Sequence, residues 1–171
     1  MSPQIIDTNV PATANLALDP DAPTELLPCI RNCVNAIEVA ILGRIVLDAG
    51  DEVFDEYRRN LSLSGQPGQG DKFLKWLHDR RWTFPNDDRV VITKLEDSYE
   101  EFPSHPDLED FDNSDRKFVA LANTHIDKPP ILEATDSKWW GWATALEEAG
   151  ITVIFLCEAY IKSKFEKKME Q

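Results

Sequence analysis

Positive charge is scarce in this chain. Its 171 residues hold 18 Lys and Arg against 31 Asp and Glu, a formal net charge of −13. That balance argues against a protein that grips nucleic acid by charge alone. It leaves room for a nucleic-acid enzyme whose carboxylates load divalent cations, because bound metal reverses the local sign. Cysteine is also rare: Cys29, Cys33 and Cys157 are odd in number and form no CxxC pair. The expectation is reduced thiols in a cytoplasmic protein, with no disulfide framework and no structural zinc. Cys29 and Cys33, four residues apart, read as small core residues. No apolar run reaches the ~18–20 residues of a membrane span, and the N-terminus lacks the basic start and apolar core of a signal peptide. The expected protein is soluble and has no membrane partner. His78, His105 and His125 share no ligand spacing, so none is assigned to metal.

What the chain does contain is a regular alternation of apolar runs. The start IIDTNV, residues 5–10, places two β-branched residues before Asp7, Thr8 and Asn9. Residues 11–28 hold four prolines and read as a loop interrupting the first crossover. Ile30, Val34, Ile37 and Ile41 lie at helical spacing, ended by Gly43. RIVLD (44–48) reads as a second strand, and DEVFDEYRRNL as a helix burying Val53, Phe54, Tyr57 and Leu61. SLSGQPGQG (62–70) has the composition of a flexible loop, followed by the amphipathic DKFLKWLHDRR. DRVVITKL (88–95) is the third strand candidate. The stretch 96–113 reads as too acidic and proline-broken to be core. Ser114 is placed as the N-cap of a helix DRKFVALANTH. PPILEATD then supplies a fourth strand, SKWWGWATALEEAG a helix closed by Gly150, and ITVIFLC a fifth strand.

Strands alternating with helices predict an α/β fold: one parallel sheet of about five strands flanked by helices. The domain is expected to span 1–157, with 158–171 a helical tail, solvated or frayed. In such sheets, ligands gather outside the carboxyl ends of the strands. Asp7, Asp48 and Asp136 follow or end predicted strands. Asp115 opens a helix from the same edge, and Glu56 lies one turn beyond Glu52 on another. Asp7 taken by itself is either a cap or a functional carboxylate. Crowded carboxylates repel unless a cation joins them, and hard ions such as Mg²⁺ take oxygen ligands. That chemistry suits phosphodiester hydrolysis.

The ordered set IIDTNV, DEVFDEY, SDRKFVALA, ILEATDSKWW and GITVIFL resembles the successive motifs of the PIN domain family, including VapC-type toxin ribonucleases, from about Gln4 to Cys157. The resemblance implies a PIN-like fold and an endoribonuclease that uses Mg²⁺ or Mn²⁺. Its RNA substrate would be single-stranded and its products would carry 5′-phosphate and 3′-hydroxyl ends. It also implies the toxin of a toxin–antitoxin pair, with an antitoxin protein as partner and a homodimer as the assembly. Carried over, it puts Asp7, Glu56, Asp115 and Asp136 as the metal ligands and catalytic acids, with Thr8 or Asn9 supporting Asp7. Asp48, Glu52 and Asp55 compete with Glu56. The chain departs from the compact family pattern in the proline-rich insert at 11–28, in the long span from Glu56 to Asp115, and in Lys138, where some relatives place a further acid. The last departure weakens the case for a permanently occupied second metal site and leaves open that a second ion arrives with substrate.

Two other classes compete. In an aspartyl-phosphate phosphotransfer protein Asp7 would be the nucleophile and Lys94 or Lys138 the accompanying lysine. In a non-catalytic PIN-like module the acids would persist for partner binding, as the net charge allows. Trp139, Trp140 and Trp142 read as packing aromatics before base-stacking ones. Arg58, Arg59, Lys72, Lys75, Arg80 and Arg81 form the one basic concentration, read as an RNA-facing rim or as ordinary surface charge.

Overall fold

The first strand, β1 (Pro3–Ile6), lies inside a parallel sheet, with Ile5 and Ile6 fully buried. A strand covered on both faces reads as a continuous apolar run, and that is how the sequence presents it. The computed structural model describes residues 2–171. After β1 come α1 (Asn9–Ala14), α2 (Leu27–Ala40), β2 (Arg44–Ile45), β3 (Leu47–Asp48), α3 (Glu52–Asn60) and α4 (Gln69–Arg80). The second half holds β4 (Arg89–Val90), β5 (Lys94–Leu95), β6 (Ser98–Tyr99), α5 (Arg116–Thr124), β7 (Ile131–Glu133), α6 (Lys138–Glu148), β8 (Val153–Phe155) and α7 (Glu158–Met169).

The main sheet has the order β2-β1-β7-β8, all parallel, with Ile5 opposite Ile131 and Leu132 opposite Ile154. The expected α/β class holds, with four strands in that sheet instead of five. The run RIVLD divides: Arg44–Ile45 pair with β1, and Leu47–Asp48 pair with β4 in a separate parallel ladder. The expected strand 88–95 survives only as Arg89–Val90. Val91 is 70% exposed, and Lys94–Leu95 turn back against Ser98–Tyr99 as an antiparallel hairpin. The ladder with β3 ends at Val90.

Several expectations change. The proline-rich segment 11–28 is more than a loop, because α1 runs through Pro11 in its first turn and Pro28 sits in the first turn of α2. Those are positions where a missing N–H costs little. The loop 62–70 is fastened: the Asp71 carboxylate accepts from the backbone N–H groups of Ser62 (2.7 Å) and Gly68 (3.0 Å). The stretch 96–113 contributes Tyr99, Leu108 and Phe111 to the interior, and Phe111 meets Trp139 edge-on at 5.1 Å between ring centroids. Most of its acids are exposed, while Tyr99 and Phe111 turn in. Trp139 is fully buried, Trp142 packs on Phe111 and Trp140 on Phe155, as expected of packing aromatics.

The cysteines depart most. Cys29 at the start of α2 and Cys157 after β8 form a disulfide across 128 residues, and Cys33 is free and buried. Sequence spacing could not anticipate this, because only the fold brings α2 against the end of β8. The tail is an ordered helix: Ile161 is buried and the Phe165 ring abuts Gly141 of α6. At the amino edge of the sheet, buried Asp88 accepts two hydrogen bonds from Arg44 (both 2.8 Å) and faces His125 at 3.0 Å. Among the described residues, no helix is long and apolar enough to cross a membrane.

Candidate functional site

β1 and β7 are parallel neighbours and end together, so the residues that follow them leave the same edge of the sheet. Asp7 follows β1, continuing the ladder through its N–H to Leu132 O (3.1 Å), and is only 4% exposed. Glu133 ends β7 and is fully buried. Asn9 joins the two chain exits. Its backbone N–H donates to Asp7 Oδ1 (3.2 Å), its amide nitrogen donates to Glu133, and its Oδ1 accepts from Ala134 N (2.9 Å). The Thr8 hydroxyl donates to Glu56. The expected support for Asp7 therefore comes from Asn9, and Thr8 positions a second acid instead.

Glu56 projects from α3. Its Oε1 meets Lys117 Nζ at 2.6 Å, and its Oε2 takes the Thr8 bond. The rival Asp48 is unavailable: fully buried, it accepts from the N–H groups of Glu52 and Val53 (both 2.8 Å) and so caps the start of α3. Glu52 pairs with Lys94 and the exposed Asp55 lies near Arg58. Ser114 is not the cap of α5. Residues Asn113–Asp115 make a short 3₁₀ turn and Asp115 holds the cap position, yet its side chain makes no capping bond. Asp136 lies in the turn between β7 and α6, where its Oδ1 accepts from Lys138 N (3.0 Å).

Asp7, Glu56, Asp115 and Asp136 line one cavity of about 430 Å³, together with Thr8, Asn9, Ala12, Arg59 and Asn60. All four acids singled out from the sequence thus meet in one place. Asp112, Asp115 and Asp136 each present an oxygen, and these oxygens lie within 4.8 Å of one another. Burial pushes the Asp115 carboxyl up to about 8, and the charges of Asp7, Asp136, Glu56 and Asp112 add to the rise. Glu133 is pushed up to about 7, chiefly by burial. Asp7 rises well above the usual carboxylate range, first through burial and then through the neighbouring Glu133. Asp7 Oδ2 and Glu133 Oε2 are buried without a hydrogen-bond donor. A proton shared between them, or a cation, would satisfy both.

No family model matches this chain, and no curated protein or solved structure matches it. An all-oxygen donor set with an orphaned, buried Asp7 oxygen is the kind of site that a hard divalent cation fits.

Three participants were missed from the sequence. Glu133 was read as part of a strand run, although an acid inside ILEA is itself a signal that something must stabilise it. Asp112 lay in a stretch set aside as surface. Lys117 was passed over inside an apolar helix pattern, yet it is only 8% exposed. Of the basic concentration, Arg59 alone lines the cavity. Arg81 is buried against Asp51 and the Phe54 ring, and Lys75 pairs with Asp79. Lys94 and Lys138, the lysines a phosphotransfer role would require, pair with Glu52 (3.3 Å) and Asp112 (3.0 Å) and form no ion pair with Asp7.

Proposed function

We propose that this protein is a metal-dependent endoribonuclease of the PIN type, using Mg²⁺ or Mn²⁺ and acting on single-stranded RNA. The observation that carries this is the meeting of four carboxylates from distant segments in one cavity, at the carboxyl edge of a parallel sheet, with Asp7 Oδ2 left unpaired. Asp7, Asp115 and Asp136 would hold the ion. When bound, it would lower the pKa of a ligated water and stabilise charge on the phosphate oxygens.

The chain's own groups do the rest. Asn9 fixes the Asp7 carboxylate through its backbone N–H, and Thr8 and Lys117 hold Glu56 against the cavity wall. Arg59, exposed at the cavity, presents a guanidinium to an RNA phosphate, a contact that positions the backbone without reading sequence. In the reaction a water oxygen bonds to phosphorus as the P–O3′ bond breaks. The leaving oxygen takes up a proton, giving 3′-hydroxyl and 5′-phosphate ends.

The test is cleavage of a single-stranded RNA oligonucleotide with Mn²⁺, followed by mapping of the product ends. The wild-type chain is expected to cut and Asp7→Asn to lose cutting while remaining folded. Retention of Mn²⁺-dependent cleavage by Asp7→Asn would overturn the assignment.

A further inference from the structure

We propose that Lys117 is a built-in cation paired with Glu56 behind the cavity wall, so that the site takes one divalent ion and not two. The inference rests on the metal-site reading above and goes beyond it by settling the ion count and naming the group that sets it.

Three observations carry it. Lys117 is almost wholly buried and its ammonium lies 2.6 Å from Glu56 Oε1, while a second hydrogen bond to Ser114 O, also 2.6 Å, anchors it. The other Glu56 oxygen accepts from Thr8, so each oxygen of this carboxylate already has a donor and its charge is balanced by the ammonium before any ion arrives. On the far side, Lys138 holds Asp112 Oδ2 at 3.0 Å. The acids without an ammonium partner are then Asp7, Asp115, Asp136 and Glu133, and only the first three line the cavity.

Charge explains the arrangement. A two-ion site separates its metals by roughly 3.5–4 Å and needs carboxylates on both flanks. Here the flank formed by Glu56 already carries a positive charge on a lysine stem emerging from α5, in the turn after Asp115. An ammonium needs no loading and offers no open coordination position. It can neutralise an acid or meet a phosphate oxygen, but it cannot activate water. Lys117 is thus a positioning residue: it holds Glu56 and supplies the second positive charge, leaving water activation to the single ion.

The experiment counts Mn²⁺ ions bound per folded chain by isothermal titration calorimetry, without RNA. Wild type is expected to bind one. Lys117→Met removes the ammonium from Glu56 Oε1 and is expected to bind two, and the double change Lys117→Met with Glu56→Gln to return to one. Lys117→Arg, which keeps the charge, should stay at one. Two ions in the wild type, or none, would overturn the inference; so would one ion in both Lys117→Met and a second neutral variant, Lys117→Gln, with a cooperative melt. The count is independent of cleavage. If these counts hold and no RNA is cut, the nuclease reading fails and this inference stands.

Discussion

Asp115 carries the conflict between stability and function most openly. It stands at a helix start where a carboxylate ordinarily caps, but it makes no capping bond and instead faces other acids. A half-buried group held up to about 8 resists ionising, and the surrounding fold bears that cost wherever pH exceeds its unfolded value. Asp115→Asn is therefore expected to raise the melting temperature of the metal-free protein at pH 8, about 2–4 °C for each kcal/mol gained. Under the metal-site proposal Mn²⁺ is expected to shift the wild type upward, and the same change should abolish that shift. Differential scanning fluorimetry with and without Mn²⁺ checks both halves. A lower metal-free melting temperature would show that this carboxylate is not under strain from its neighbours. The identity of Asp115 as a candidate was legible from its place before an apolar helix. The freedom of its side chain was not, since Ser114 looked the better cap and only the 3₁₀ turn at 113–115 shifts the helix start past it.

Among elements, the helices were more legible than the strands. α3 and α4 bury the residues their periodicity selected, Val53, Phe54 and Tyr57 on one, Phe73, Leu74 and Leu77 on the other. Strands of two or three residues leave too short a pattern to delimit, which is why RIVLD and DRVVITKL were each read as one strand. The packing of α4 on α1 was invisible for a different reason: it depends on an atom that is missing. A Cβ on Gly70 would come within 2.0 Å of Pro11 O, so α1 and α4 approach this closely only because residue 70 has none. Gly70→Ala is expected to destabilise the fold by about 1–3 kcal/mol, the usual cost of overpacking. Urea denaturation followed by circular dichroism would measure it, and a change under 0.5 kcal/mol would mean that α1 yields freely. Since α1 follows directly on Asp7 and Thr8, displacing it should also weaken Mn²⁺ binding.

For the whole molecule, two outcomes follow from long-range pairing. The Cys29–Cys157 disulfide closes a loop of 128 residues, a constraint on the unfolded chain of about 3–5 kcal/mol in the loop-entropy account. Reduction with dithiothreitol should lower the melting temperature substantially, and Cys157→Ala should start low and show no further response. Equal melting with and without reductant would contradict it. The second outcome concerns pH. Between about pH 4 and 8 the folded protein keeps a proton on Asp115, and up to about 7 on Glu133, that the unfolded chain has released; Asp7 is raised in the same direction. The unfolded state then binds fewer protons, so stability falls as pH rises through this window. Asp88 works in the other sense: burial raises it, but hydrogen bonds from Arg44 and His125 outweigh that and leave it below the usual range, so its contribution is lost only in stronger acid. Metal-free stability should therefore peak near pH 4–5 and decline toward 8, and saturating Mn²⁺ should remove the decline because its ligands must be deprotonated. Thermal melts at half-unit pH steps, with and without Mn²⁺, test this directly.

The amino-acid sequence by itself determined the strand–helix alternation around β1, β7 and β8 and hence the edge at which Asp7, Asp115 and Asp136 collect. Periodicity and strand-end position are local properties, and the parallel crossover rule carries them to one side of a sheet. The tertiary structure alone decided which acids are free. Asp48 is consumed by helix amides, Glu56 by Lys117 and Thr8, and Asp112 by Lys138, while Asp7 and Glu133 face each other with oxygens unpaired. Such partners lie 48 residues apart for Thr8 and Glu56 and 124 apart for Asn9 and Glu133. A hydrogen bond over that distance exists only once the chain has packed, and it is the set of pairs already made that leaves Asp7, Asp115 and Asp136 without an ion-pair partner.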